Sequence, residues 1–196
     1  MAINAGPKFW ANIQSEPKRK YRFVLNLGGL DHWVITRVTR PSFTVTETEH
    51  AYYNHKFYYP GRVEWQTVSF SLVDPIHPDA TGYIMGVLGA CGYRFPAAGQ
   101  FKSISKHLAV DALKEPKIRA KNANGDDVEV WTLKNAWVKN ATMDSFEYSS
   151  DDMLTMEIEL RYDYATYESK SGGGAALPPD AAINTGYAAL KPGTSS

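Results

Sequence analysis

Apolar and polar side chains alternate at period two along much of the chain, most clearly in two places. Across residues 63–73 one face carries Gln66, Val68, Phe70 and Leu72, and the other Trp65, Thr67, Ser69, Ser71 and Val73. Across residues 153–164 Leu154, Met156, Ile158, Leu160, Tyr162 and Tyr164 share a face, opposite Thr155, Glu157, Glu159, Arg161 and Asp163. Each pattern predicts a strand with one face on a core, the second strongly acidic outside. Shorter alternations predict strands over 21–27, closed by Gly28-Gly29, and over 33–39. Residues 43–50 read FTVTETEH, with Thr44, Thr46 and Thr48 on one face and Phe43, Val45, Glu47 and Glu49 on the other. The apolar side turns acidic halfway along, as in a strand that starts over a core and runs past it as an arm.

Residues 51–59 place Tyr52, Tyr53, Phe57, Tyr58 and Tyr59 around Asn54-His55-Lys56, which suits the tip and return of a long hairpin. Pro60-Gly61 predicts a turn, since proline presets φ and glycine supplies a positive φ, and the 63–73 strand follows it. Residues 117–122, the turn Asn124-Gly125-Asp126 and residues 128–133 predict a second hairpin, with a further strand over 135–139. Helical spacing appears twice. Pro78-Asp79 opens a helix to about Cys91, with Ala80, Ile84, Val87, Leu88 and Cys91 near one face; a shorter one over 103–114 aligns Ile104, His107, Leu108 and Leu113.

At 196 residues the chain suits one domain with appendages. Residues 1–19 read as an N-terminal arm in which Phe9 and Trp10 need a docking place, 20–168 as the folded domain, and 169–196 as a flexible Gly/Ala/Pro-rich tail. Twenty-one basic and twenty-one acidic residues cancel, which argues against a protein that grips nucleic acid or a membrane by overall charge. Cys91 alone excludes an internal disulfide and a thiolate metal cluster. The first twenty residues lack the apolar core of a signal peptide, and no stretch approaches the roughly 18 apolar residues of a membrane span, so a soluble, unexported protein is expected. Aromatics at 13% favour strands and interfaces.

Reactive chemistry is not spelled out. The glycines at 86, 89 and 92 have the wrong spacing for a dinucleotide site and fall in a predicted helix. His32, His50, His55, His77 and His107 are scattered, without metal-ligand spacing, and no nucleophile-elbow motif frames a serine. No enzyme activity, metal or cofactor is expected.

The order of a first strand YRFVLNLGG, a strand opening PSFTV, an aromatic return ending KFYYPG, the strand WQTVSFSLVDP and the closing stretch MDSFEYSSDDMLTMEIELRYDY resembles the tail tube proteins of contractile-tailed bacteriophages of the T4 type, over roughly 21–164. The resemblance implies a mainly β, sandwich- or barrel-like protomer with one flanking helix and a long hairpin arm, strands joining between subunits into a continuous ring barrel. Six protomers make each ring, and stacked rings make the hollow tube inside a contractile sheath through which the genome leaves the virion. Partners would be further copies of the chain, sheath, baseplate and tail-terminator proteins, and double-stranded DNA in the lumen; no membrane is involved, and assembly takes place in the host cytoplasm. By the same resemblance the hairpin over 44–59 reaches an adjacent ring, with Tyr52, Tyr53, Phe57, Tyr58 and Tyr59 in the contact. The bore is acidic, and Glu47, Glu49, Glu157 and Glu159 are its candidates because each has a like charge two positions along. Residues 95–115 and the tail look additional to a minimal protomer. A tube protein of a secretion system or extracellular particle, and a baseplate or terminating protein that does not polymerise, share these features.

Overall fold

The computed structural model describes residues 16–30, 32–94 and 103–170. Phe9, Trp10 and nearly all of the proposed tail lie outside the described residues.

Among the described residues ten strands form two four-stranded antiparallel sheets and a separate hairpin. The first sheet has the order β1-β6-β7-β10, from Phe23–Asn26, Lys117–Lys121, Asp127–Lys134 and Tyr164–Ser169. In the second, β2-β5-β9-β8, the strands are Ile35–Val38, Val68–Val73, Thr155–Arg161 and Trp137–Met143. Both sheets turn apolar residues into one core: Leu25, Ile118 and Leu133 from the first, and Phe70, Leu72, Ile158 and Leu160 from the second. Burial in β5 follows the expected period, with Val68, Phe70 and Leu72 inside and Ser69 and Ser71 only partly buried. The result is a mainly β sandwich; among the described residues each sheet is open and no barrel closes.

Helices α1 (Ala80–Ala90) and α2 (Lys106–Leu113) close one part of this core. Helix α1 presents Ala80, Ile84 and Val87 inward, as their spacing predicts. Two carboxylates start it: Asp79 accepts from the Gly82 amide at 2.7 Å, and Asp74, at the end of β5, accepts from the Ala80 and Thr81 amides at 3.1 and 3.2 Å. The shorter helix is present too, capped by Ser105, but its buried residues are Ala109 and Leu113, while Ile104 and Leu108 are exposed. Of the expected face Leu113 is buried, while Ala109 takes the place expected of Leu108; a two-turn helix gives little phase information.

Three strand expectations are corrected. Residues 63–73 are not one strand: the chain breaks at Gln66-Thr67, so that Val63 and Trp65 belong to the hairpin and only β5 to the sandwich. Residues 153–164 likewise divide at Tyr162-Asp163, where the Asp163 amide donates to the Lys134 carbonyl at 3.0 Å and the chain crosses to the first sheet as β10, ending at Ser169. The strand expected over 135–139 runs instead from Trp137 to Met143, after Asn135 at φ 55° turns the chain. Alternation runs on through Tyr162-Asp163 and so could not mark that change of sheet, whereas at Gln66-Thr67 two polar residues in succession shift the apolar positions from Val63 and Trp65 to Val68 and Phe70.

Candidate functional site

The most exposed element is the hairpin of β3 (Phe43–Tyr52) and β4 (His55–Trp65), whose strands pair with each other and lie in neither sheet. Ten residues of extended chain reach about 30 Å. Its root is apolar. Phe43 packs edge-on against Trp65 at 5.5 Å, and Trp65 meets Tyr162 of the core at 6.0 Å. Every residue of the two strands other than Trp65 is exposed.

Pro60-Gly61 does not turn the chain; both lie inside β4. The turn is Tyr53-Asn54, with Tyr53 at φ 51°, a positive first central position as in a II′ turn. Opposite Pro60-Gly61 the pairing shifts register between Val45 and Glu47, so two residues of β4 face Thr46. Thr46 Oγ1 accepts from the Arg62 amide at 2.8 Å, and a Cβ on Gly61 would lie 2.4 Å from that oxygen. Glycine is therefore needed for close approach in a bulge, a use the dipeptide does not distinguish from a turn.

Pairing assigns the arm's faces. Tyr52, His50 and Thr48 pair with His55, Phe57 and Tyr59, giving a face of three aromatics and two histidines. Glu49 and Glu47 pair with Tyr58 and Pro60 on the other face, where Lys56 also binds Glu49 at 2.9 Å. Tyr53 stands at the tip, 89% exposed, its ring edge-on to Tyr52 at 4.7 Å. The five aromatics named from sequence thus form one aromatic face, a tip and a separate Tyr58 among carboxylates.

Glu157 and Glu159 stand elsewhere, on the outer face of the second sheet. There Thr67, Ser69, Asn140 and Thr142 join them around a shallow depression of about 330 Å³. Glu159 accepts from Thr67 Oγ1 at 2.5 Å and from Lys139 Nζ at 3.1 Å, and these two donors hold its carboxyl below the usual glutamate range. Glu157 lies between Ser71 and Thr142, with Arg37 on the far side of Ser71. The hydroxyl-rich side of β5 therefore faces outward beside these carboxylates. Because Trp65, on the Glu47/Glu49 side of the arm, packs on the core, the four carboxylates occupy two surfaces, and two of them are ion-paired.

A charged group absent from the sequence reading is Glu129 on β7. Its side chain is 2% exposed and receives Lys18, Arg40 and, at 2.5 Å, Trp131 Nε1. Burial pushes this carboxyl up, but the Lys18 and Trp131 hydrogen bonds and the charges of Arg40 and Lys18 outweigh it, leaving it below its ordinary value. The only local signal was a carboxylate set between Val128 and Val130, two residues before Trp131. Among the described residues no group of three or more His, Cys, Asp or Glu could hold a metal ion, and no helix is long and apolar enough to cross a membrane.

A two-sheet sandwich with helices at one side and a protruding, self-paired arm is a fold shared with components of contractile injection particles. The chain is similar to the anti-feeding prophage tube-terminating cap, with 21% identity, a TM-score of 0.62, and coverage of 86% of this chain and 99% of the other. It is similar to a chain of the anti-feeding prophage baseplate (16%, 0.58, 79% and 97%) and to one of the sheath–tube complex of the extracellular injection system PVC (18%, 0.56, 78% and 92%). At these identities the likeness carries the fold. In sequence, the model of the T4-like virus tail tube protein gp19 family matches residues 100–166, in agreement with the resemblance drawn from the closing strands. That match includes 100–115, which had looked additional. No curated protein matches the chain.

Proposed function

We propose that this chain is the tube protein of a contractile phage tail: six copies form a ring, sheet edges of neighbouring protomers join into a continuous barrel, and rings stack into the conduit for genome ejection. The observation that carries this reading is the β3–β4 arm, which leaves Tyr52, Tyr53, Phe57, Tyr58 and Tyr59 each at least half exposed. Such an aromatic surface on one chain is a contact surface for another. The arm reaches the adjacent ring; sheath, baseplate and terminator proteins bind elsewhere on the tube. Glu47, Glu49, Glu157 and Glu159 are the bore candidates, since an acidic wall repels phosphate and lets DNA slide. Glu47 and Glu157 carry the proposal better than Glu49 and Glu159, whose charges Lys56 and Lys139 offset. The protein then belongs to the virion tail and is assembled in the host cytoplasm, with no catalytic role.

Electron microscopy of the negatively stained purified protein tests this. Hollow rods are expected, and a Tyr58→Ser, Tyr59→Ser chain should stay folded without forming them. Normal rods from that variant would remove the arm from the stacking contact. A second reading, a cap or baseplate component, is favoured by the fold likeness to the anti-feeding prophage cap and predicts single rings that never stack. A protein-carrying injector would give the same rods, lacking DNA in filled particles.

A further inference from the structure

Between the end of β1 and the start of β6 lies a groove of about 410 Å³, with Leu27, Gly28 and Leu30 on one side and Lys114, Lys117 and Arg119 on the other. Its rim is cationic. Arg119 is incompletely satisfied: one terminal nitrogen reaches Asp127 only at 3.5 Å, and its buried Nε has no hydrogen-bond partner. Glu115, also at the groove, is engaged by Lys134 at 2.6 Å.

A surface of opposite character sits on the loop joining β8 to β9. Residues 144–154 hold Asp144, Glu147, Asp151 and Asp152 with no lysine or arginine. Phe146 and Tyr148 project from it, 89% and 112% exposed. Glu147 and Asp152 bond to Ser149 and Ser150 of the same loop, so its polar contacts shape the loop itself. Aromatic rings projecting among carboxylates match a groove whose floor is apolar and whose rim is basic.

We propose that the 144–154 loop of one copy docks in the Lys114/Lys117/Arg119 groove of a second copy, its carboxylates meeting the cations and Phe146 or Tyr148 covering the Leu27–Leu30 side. The two surfaces lie on different flanks. Strands β1 and β2, edges of their sheets, are joined by the short 27–34 connection, whereas β8 is the opposite edge of the second sheet. A contact between unlike surfaces repeats from copy to copy and closes into a ring when the rotation allows. The contact rests on the self-assembling reading above, but it is lateral and independent of stacking through the arm.

Charge exchange in the full-length chain tests it. Lys117→Glu with Arg119→Glu reverses the groove; Glu147→Lys with Asp151→Lys and Asp152→Lys reverses the loop. Each set alone should raise the concentration needed for assembly by roughly tenfold or more, and a chain carrying both sets should recover assembly, which also shows that the substituted chains fold. Zero-length cross-linking of the wild type followed by peptide mass spectrometry should join Lys114 or Lys117 to a carboxylate within 144–152. Normal assembly of both single sets, or cross-links from the groove to Glu47 or Glu49 instead, overturns the contact and leaves self-assembly standing. A wild type that remains monomeric when concentrated and gives no such cross-link overturns both.

Discussion

Arg40, three residues before the arm's first strand begins at Phe43, donates to the buried carboxylate of Glu129 in the opposite sheet. Lys18 reaches the same carboxylate, so one side chain ties the start of the described chain and the root of the arm to β7. Glu129→Gln keeps the shape but removes the charge. Since Lys18 and Arg40 are more than half exposed and can turn to water, the expected cost is about 1–2 kcal/mol, read as a lower urea midpoint at pH 7.

The same group sets an acid sensitivity. With its folded-state pKa below the unfolded value, Glu129 contributes stability that is complete above about pH 4.3 and is lost as pH falls through the lower folded value. Urea midpoints measured from pH 5 down to pH 3 should therefore fall more steeply for the wild type than for Glu129→Gln. Parallel slopes would refute the assignment.

The arm's two faces should be separable. Tyr59→Ser strips the face shared with Phe57 and Tyr52, whereas Tyr58→Ser acts beside Glu47 and Glu49. If the aromatic face makes the stacking contact, Tyr59→Ser and Phe57→Ser shorten rods similarly and Tyr58→Ser does so less, by length distributions in electron micrographs. Equal effects of all three would mean that both faces are covered.

Gly61→Ala should disorder the bulge, because the added Cβ meets both Thr46 Oγ1 and, at 2.9 Å, the Thr46 carbonyl. A cost of about 1–3 kcal/mol is expected, confined to the arm. Amide exchange of Val45 through Arg62 should accelerate while β5 and β9 keep their protection.

Tyr53→Gly should act in the opposite direction. A tyrosine at φ 51° is strained by roughly 1 kcal/mol relative to glycine. Amide exchange near the tip should slow about fivefold by that estimate, provided the lost Tyr52–Tyr53 ring contact is the smaller term. Faster exchange would show that the ring contact holds the turn.

Much of the architecture was legible because it follows from local chemistry. Alternation at Val68, Phe70 and Leu72 fixed which side of β5 meets a core, Asp79 marked the start of α1, and Asn124-Gly125 closed the β6–β7 hairpin. Threonine alternating with Val45, Glu47 and Glu49 already described a strand that outruns its core. Tertiary structure decided what local pattern leaves degenerate. At Gln66-Thr67 the apolar positions slip by one, from Val63 and Trp65 to Val68 and Phe70, where the chain passes from arm to sheet; through Tyr162-Asp163 the alternation continues although the chain changes sheets, since side-chain period records facing and not partnership. Pro60-Gly61 has the same composition in a turn and in a bulge; Thr46 across the ladder settled it. Glu129 became a buried anchor only because Lys18 and Arg40, 111 and 89 residues away in sequence, arrive at its carboxylate, and an isolated charge can be buried only when distant charges come to meet it.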